Sequence, residues 1–140
     1  MPPLQKLTGP AAKGISVKSG ILVIDDMPDQ LQLQKTILEV NNYEVFTAVG
    51  GRVALEILRE VTPQLILLDV HMQDMSGPEF LDELEATQPE IFNHVPIVFL
   101  TATDAVPAGK VTGLIRKPLD INAFLSDVQR YIEKGNLRVT

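Results

Sequence analysis

The sequence predicts an open, doubly wound α/β sheet, and two patterns support this fold class. Amphipathic stretches at helical spacing separate most of the short apolar runs, so strands and helices alternate along the chain. That alternation requires crossover connections, which are right-handed in parallel sheets. The runs are rich in Val and Ile and apolar at nearly every position, as is typical of strands buried on both faces. They occupy residues 21–24, 45–49, 65–68, 97–100 and 114–115.

The chain length of 140 residues fits one domain with a sizeable core. Residues 1–19 mix Pro, Gly, Ala and Lys without periodicity, so we interpret them as a flexible lead-in outside the fold. The folded domain is predicted over residues 20–134. Residues 135–140 then form a short C-terminal tail.

Four helices are indicated by apolar spacing and by residues that favour helix ends. The first starts at Pro28 and ends near residue 40, and the second spans about residues 52–61. The third starts near Ser76, a good N-cap residue, and the last follows Asp120. Gly135 is predicted to end that last helix.

Charge and composition exclude several classes of function. The formal net charge is −6, and because the lead-in carries three Lys and no acid, the remainder carries −9. Such an acidic body argues against direct nucleic-acid binding, which requires a basic face. The absence of Cys excludes disulfides and thiolate metal sites. No apolar run approaches the roughly 20 residues of a membrane span, so we expect a cytoplasmic protein that binds no membrane.

Reactive side chains follow four of the five apolar runs. Asp25 and Asp26 follow the first run, Asp69 the third, Thr101 the fourth, and Lys117 comes shortly after the fifth. Ligands in open α/β sheets bind in the crevice beyond the carboxyl ends of the strands. We therefore expect these five side chains to meet at one edge of the sheet.

The chemistry of this group indicates phosphoryl transfer. Crowded carboxylates need a counterion or a raised pKa, and Mg²⁺ prefers carboxylate and phosphate oxygens. A carboxylate is also a nucleophile toward phosphorus, and the reaction needs positive charge and hydrogen-bond donors around the phosphoryl group. We assign Asp69 as the nucleophile and Asp25 and Asp26 as metal ligands. Lys117 would pair with the phosphoryl group, and the Thr101 hydroxyl would bind one of its oxygens.

Four segments in this order, IDDMP, LLDVHMQDMSG, VFLTA and RKPL, resemble the receiver domain of two-component response regulators. The resemblance covers about residues 20–134. It implies a flavodoxin-like (CheY-like) sheet of five parallel strands in the order 2-1-3-4-5. It also implies Mg²⁺ as cofactor, with the backbone carbonyl of His71 as a further ligand, and a cis peptide bond between Lys117 and Pro118.

The same resemblance implies a regulator rather than an enzyme, capable at most of self-phosphorylation and slow autodephosphorylation. Asp69 would receive its phosphoryl group from a histidine kinase or a histidine phosphotransfer protein in a phosphorelay. The phosphorylated protein would signal through contacts with a downstream protein, and the family pattern leaves homodimerisation open.

The sequence departs from the family pattern in three places. Only fifteen residues separate Thr101 from Lys117, fewer than is typical, and several are poor helix formers. We therefore predict that the helix between the fourth and fifth strands is short or missing, and that the loop in its place moves on phosphorylation. Leu114 occupies the position of the family's switch aromatic, and Gln73 stands where a Pro is common. The helix-breaking residues of the segment are Pro107, Gly109 and Gly113.

Other functions remain as alternatives. The first is a pseudo-receiver, the same fold acting as an interaction module without phosphorylation, and the altered segment before Lys117 motivates it. A phosphatase of the haloacid-dehalogenase type would usually carry a second Asp two residues after the nucleophile, where this chain has His71. A dinucleotide-binding enzyme would need a G-x-G-x-x-G turn after the first strand, which the sequence lacks. His71 and His94 have no third His or Cys partner for a transition-metal site, and His94 is predicted in a surface loop.

The first predicted helix has two apolar faces. We expect Leu33, Ile37 and Val40 to face the core. Leu31 and Leu38 lie on another side, where they would either pack against the last helix, the interpretation we favour, or form an exposed patch for docking the kinase.

Overall fold

The computed structural model describes residues 20–102, 111–117 and 120–138 of the chain. Within these ranges, the chain forms five strands and five helices. In chain order they are β1 (Ile21–Ile24), α1 (Pro28–Val40), β2 (Val45–Ala48), α2 (Gly51–Ile57), β3 (Leu65–Asp69), α3 (Gly77–Thr87), α4 (Pro89–His94), β4 (Ile97–Thr101), β5 (Gly113–Arg116) and α5 (Ile121–Arg138).

The strands form one parallel sheet in the order β2-β1-β3-β4-β5. In register, Ile21 of β1 lies opposite Val45 of β2 on one side and Leu65 of β3 on the other. The predicted fold class and strand order are confirmed.

Alternate residues of the strands pack into two separate hydrophobic cores, one on each face of the sheet. Leu22 and Ile24 of β1 pack into the cluster that includes residues of α2, α3 and α4. Ile21 and Val23 pack into the cluster on the opposite face, which includes residues of α1 and α5. Because successive side chains of a strand point to opposite faces, a strand covered on both sides must be apolar throughout.

The inward face of α1 differs from the predicted one. Leu33 and Val40 are 46% and 75% exposed, so their predicted core positions are wrong, although Ile37 is buried as expected. Leu31 and Leu38 are buried instead, in the same cluster as Phe124 of α5 and its neighbours. Leu31 and Leu38 therefore pack in the cluster that also contains residues of the last helix, and the alternative of an exposed docking patch at these two residues is wrong.

Predicted helix starts are confirmed at two caps. The Ser76 hydroxyl accepts the backbone N–H of Glu79, whose carboxylate in turn accepts the N–H of Ser76, a capping box at the start of α3. The carboxylate of Asp120 accepts the N–H of Ala123 in the first turn of α5.

Two features near the end of the domain were predicted wrongly. The short helix α4 was not predicted, and His94 is its last residue rather than part of a loop, although its side chain is exposed as expected. Gly135 does not end the last helix, because α5 continues to Arg138. Gly135 is instead required for packing, since a Cβ there would lie 2.6 Å from Cδ of Pro96.

The described residues between β4 and β5 form no helix. Residues 103–110, where the helix was predicted to be short or missing and the loop to move, lie outside the described residues. So does Pro118, and with it the predicted cis bond. Among the described helices, none is long and apolar enough to cross a membrane.

Candidate functional site

Three carboxylates meet beyond the carboxyl ends of β1 and β3. Asp25 directly follows β1, Asp69 is the last residue of β3, and Asp26 lies beside them. One carboxylate oxygen from each of the three lies within 4.8 Å of the others. The strands are paired in register, so the topology brings together residues that are more than forty positions apart in sequence.

Asp25 is fully buried and held by three donors. Its Oδ1 accepts the backbone N–H of Met27 at 3.0 Å. Its Oδ2 accepts from Nζ of Lys117 at 3.0 Å and from Nε2 of Gln34 at 3.2 Å. Desolvation disfavours a buried carboxylate strongly, and these donors replace the lost water.

Asp69 is more accessible, with 9% of its surface exposed. Burial raises its pKa above the ordinary 3.8; the Lys117 ammonium, 3.7 Å from Oδ1, lowers the pKa, whereas the two neighbouring carboxylates raise it. The backbone N–H of His71 also bonds to Asp69 and lowers the pKa, but the net shift is upward. Asp69 is thus a carboxylate whose negative charge is poorly stabilised by the metal-free protein.

A backbone hydrogen bond at the end of the sheet fixes the position of Lys117. Its backbone N–H donates to the carbonyl of Thr101 at 2.7 Å, which fixes the residue after β5 beside the last residue of β4. The Lys117 side chain then reaches both Asp25 and Asp69. Thr101 itself is buried at the end of β4, one residue beyond Leu100, which lies opposite Asp69 of the neighbouring strand β3.

The loop after β3 is tied to Asp26 through its backbone. The N–H of Gln73 donates to Oδ2 of Asp26 at 3.0 Å. A Pro at position 73 would lack this donor, so the departure of Gln73 from the family pattern gives Asp26 a partner. The His71 side chain in the same loop is exposed.

The same loop caps a helix. The carboxylate of Asp74 accepts the backbone N–H groups of Gly51 and Arg52, the first residues of α2, at 3.1 and 3.0 Å. A Cβ on Gly50 would lie 2.8 Å from Oδ2 of Asp74, so glycine is needed for this approach. Burial raises the pKa of Asp74, but the backbone N–H groups of Arg52, Gly51 and Met75 together lower it below 3.8.

The five site residues predicted at the strand ends all lie at this edge of the sheet. Sequence reasoning missed Gln34 and Asp74. A polar residue spaced three positions from Leu31 and Ile37 was the signal for Gln34. No local pattern indicates Asp74, whose partners on α2 lie 22 and 23 residues away.

Chemically, this edge of the sheet can hold a divalent cation. Three carboxylates face one ammonium, so the cluster carries excess negative charge, and the donors are the hard oxygens that Mg²⁺ prefers. The donor set and its charge therefore fit Mg²⁺, which Asp25, Asp26 and Asp69 could hold.

Comparisons with known proteins agree with this fold. The polar-differentiation response regulator DivK of Brucella abortus is 25% identical over 118 residues, which cover 80% of this chain and 94% of DivK. The chemotaxis response regulator CheY4 of Vibrio cholerae is 30% identical, with a TM-score of 0.73, covering 82% of this chain and 99% of that one. The response regulator TrrA of Thermotoga maritima, solved in complex with Mg²⁺ and BeF, is 26% identical with a TM-score of 0.70, covering 81% of this chain and 98% of that one.

Most of the chain also matches a family model. The model for the response regulator receiver domain matches residues 21–129, which include all five strands and the whole carboxylate cluster. The chain therefore belongs to the response regulator receiver domain family.

Proposed function

We propose that this receiver is a phosphorylation switch in which Asp69 accepts a phosphoryl group from a histidine kinase or a histidine phosphotransfer protein. The observation that carries the proposal is the position of the Lys117 ammonium, 3.0 Å from Asp25 and 3.7 Å from Asp69 within a cluster of three carboxylates. A simple surface cluster of acids would have no need for a cation, only 14% exposed, that reaches two of them.

In the transfer step, a carboxylate oxygen of Asp69 forms a bond to phosphorus. The bond between phosphorus and the donor's imidazole nitrogen breaks, and that nitrogen keeps the electron pair and takes up a proton. The product is an acyl phosphate, a mixed anhydride of Asp69 and phosphoric acid, and the raised pKa of Asp69 makes its oxygen a more basic nucleophile.

The residues around Asp69 divide the remaining tasks. Asp25, Asp26 and Asp69, with the backbone carbonyl of His71, would hold Mg²⁺. When bound, the ion neutralises charge on the phosphoryl oxygens and orients them. Lys117 pairs with a phosphoryl oxygen, and the hydroxyl of Thr101 binds another.

A solved structure of a relative also supports the proposal. TrrA, with the same fold, binds Mg²⁺ and BeF according to its solved complex. We infer that this chain likewise acts as a regulator, passing its state to a downstream protein through surface contacts rather than turning over a substrate.

Phosphoramidate, whose P–N bond resembles that of phosphohistidine, provides the test. We expect a Mg²⁺-dependent gain of one phosphoryl group by intact mass, removed by hydroxylamine and absent in Asp69→Asn. Asp82→Asn, a change at an exposed acid of α3, should leave the gain intact. No gain with any divalent cation would instead favour the pseudo-receiver, and continuous release of phosphate from p-nitrophenyl phosphate would favour a phosphatase.

A further inference from the structure

Gln34 is a buried polar residue on the inward face of α1. It is 0% exposed and lies between Leu31 and Ile37, both of which pack into the apolar cluster shared with α5. An apolar residue would be expected at this point of the face. Burying a carboxamide is unfavourable unless it makes hydrogen bonds, so its contacts indicate what it does.

Within the described part of the chain, the Gln34 side chain makes a single hydrogen bond, and this bond is with Asp25. Nε2 of Gln34 donates to Oδ2 of Asp25 at 3.2 Å, whereas Oε1 of Gln34 is buried without a hydrogen-bond partner among the described residues. The opposite amide orientation would direct an oxygen at the Asp25 carboxylate, which is repulsive, so the donor assignment follows from the chemistry. Among the described residues, the fully buried Gln34 side chain thus has one hydrogen bond to compensate for its burial, and the acceptor is an acid of the site.

Gln34 shares its acceptor atom with Lys117. Both donate to Oδ2 of Asp25, and the third donor, the N–H of Met27, occupies Oδ1. Lys117 is also 3.7 Å from Asp69, the residue proposed to be phosphorylated. A phosphoryl group there would bring more negative charge and three acceptor oxygens, drawing the ammonium toward Asp69.

We propose that Gln34 is a positioning residue that holds Asp25 in its metal-binding orientation, including when Lys117 turns to the phosphoryl group. Asp25 is fully buried and has no exposed surface through which water could replace a lost partner. A neutral donor keeps the carboxylate in place without cancelling the negative charge that a cation needs. This role rests on the proposed function of the same site.

Titration with Mg²⁺ by calorimetry tests the proposal. Gln34→Met keeps the length of the side chain and removes the donor, and we expect the Mg²⁺ dissociation constant to rise about ten-fold, as for other residues that orient metal ligands. The melting temperature of the metal-free variant should change little, since Asp25 keeps Lys117 and the N–H of Met27 as donors and a buried amide with an unpartnered oxygen is replaced by an apolar group. A merely structural role predicts the reverse pattern, a lower melting temperature with unchanged Mg²⁺ affinity.

Gln32→Met is the matched control. Gln32 lies two residues earlier on α1, is exposed, and donates to Thr36 on the surface of its own helix. Its substitution should leave the Mg²⁺ dissociation constant unchanged. A Gln34→Met protein with the same dissociation constant as this control overturns the proposal.

A second measurement uses the unmodified protein and so does not depend on how the variant folds. The side-chain NH₂ resonances of Gln34 should shift when Mg²⁺ is added, and shift again when acetyl phosphate follows. Resonances that stay fixed through the Mg²⁺ titration would overturn the proposal. Because this step needs no phosphorylation, its failure is distinct from that of the proposed function, which fails if Asp69 takes no phosphoryl group.

Discussion

The ammonium of Lys117 lies 3.0 Å from Oδ2 of Asp25, a carboxylate with no exposed surface. The two residues are 92 positions apart and meet only because β1 and β5 end at the same edge of the sheet. This pair connects the stability of the domain to its proposed chemistry, because the same ammonium also reaches Asp69.

Replacing Lys117 by Met should destabilise the metal-free protein by about 3 kcal/mol, because removing one partner of a buried pair leaves the other charge uncompensated. Part of this loss should return in excess MgCl₂, since a bound cation supplies the missing positive charge. Urea unfolding in EDTA and in MgCl₂ measures both effects. Lys35→Met removes an exposed ion pair with Glu39 and should change stability by less than about 1 kcal/mol. An equal loss for Lys117→Met with and without Mg²⁺ would argue against a cation at the cluster.

The raised pKa of Asp69 predicts that Asp69→Asn stabilises the metal-free protein at neutral pH. Burial and the neighbouring acids raise the folded-state pKa above 3.8, so between 3.8 and the raised value the folded protein binds more protons than the unfolded chain. Stability therefore falls as the pH rises through this window, and the penalty is fully present above it. We expect the melting temperature of Asp69→Asn to exceed that of the wild type by a few degrees at neutral pH, on the order of the shift for 1 kcal/mol.

The advantage of Asp69→Asn should shrink toward zero as the pH approaches 3.8, and Mg²⁺ should reduce it at neutral pH by stabilising the ionised Asp69. Thermal unfolding in EDTA across this range, with Asp82→Asn as the control, gives the comparison. An Asp69→Asn protein that is less stable than the wild type at neutral pH would show that the surroundings of Asp69 do not destabilise its ionised form.

Asp74→Ala should destabilise the domain by about 1 kcal/mol, because Asp74 caps α2 from a distance through Gly51 and Arg52. Its lowered pKa means that this contribution is present above 3.8 and is lost as the pH falls through the folded-state value. Urea unfolding at neutral and acidic pH should therefore show a difference from wild type only at the higher pH. Asp82→Ala, an exposed acid on α3, should be neutral within about 0.5 kcal/mol at both. A difference for Asp74→Ala that persisted at acidic pH would argue against capping by the carboxylate.

Leu31→Ser should destabilise the domain by about 3 kcal/mol, since Leu31 is 7% exposed and packs in the cluster shared with α5. Leu33→Ser makes the same change on the same helix at a side chain that is 46% exposed, and it should alter stability by less than about 0.5 kcal/mol. Denaturant midpoints of the two variants decide between the two faces of α1. A larger loss of stability for Leu33→Ser than for Leu31→Ser would instead indicate that the face predicted from sequence is the buried one.

The contrast between Leu31 and Leu33 also shows where sequence reasoning succeeds and fails. The strands were predicted well because burial on both faces leaves an unbroken apolar run, as at Ile21–Ile24. The face of α1 was misassigned because its true core stripe contains Gln34, so helical periodicity favoured the wrong set. Only the fold reveals that Asp25 lies opposite that polar position.

The end of α5 illustrates a different limit. Gly135 has the residue type of a helix terminator, yet α5 continues because the glycine lies against Pro96 from a distant part of the chain. Such a close approach has no local sequence signature. The strand-end residues were predictable for the opposite reason, because parallel topology alone brings Asp25, Asp69 and Lys117 together.

The most direct test of the central claim is to locate the phosphoryl group on the chain. The protein is incubated with acetyl phosphate and Mg²⁺, reduced with borohydride, which converts an aspartyl phosphate to homoserine, and mapped by peptide mass spectrometry. We predict homoserine at position 69 and at no other acid, and none when Mg²⁺ is replaced by EDTA. An unmodified Asp69, or modification at Asp25 or Asp26 instead, would contradict the account.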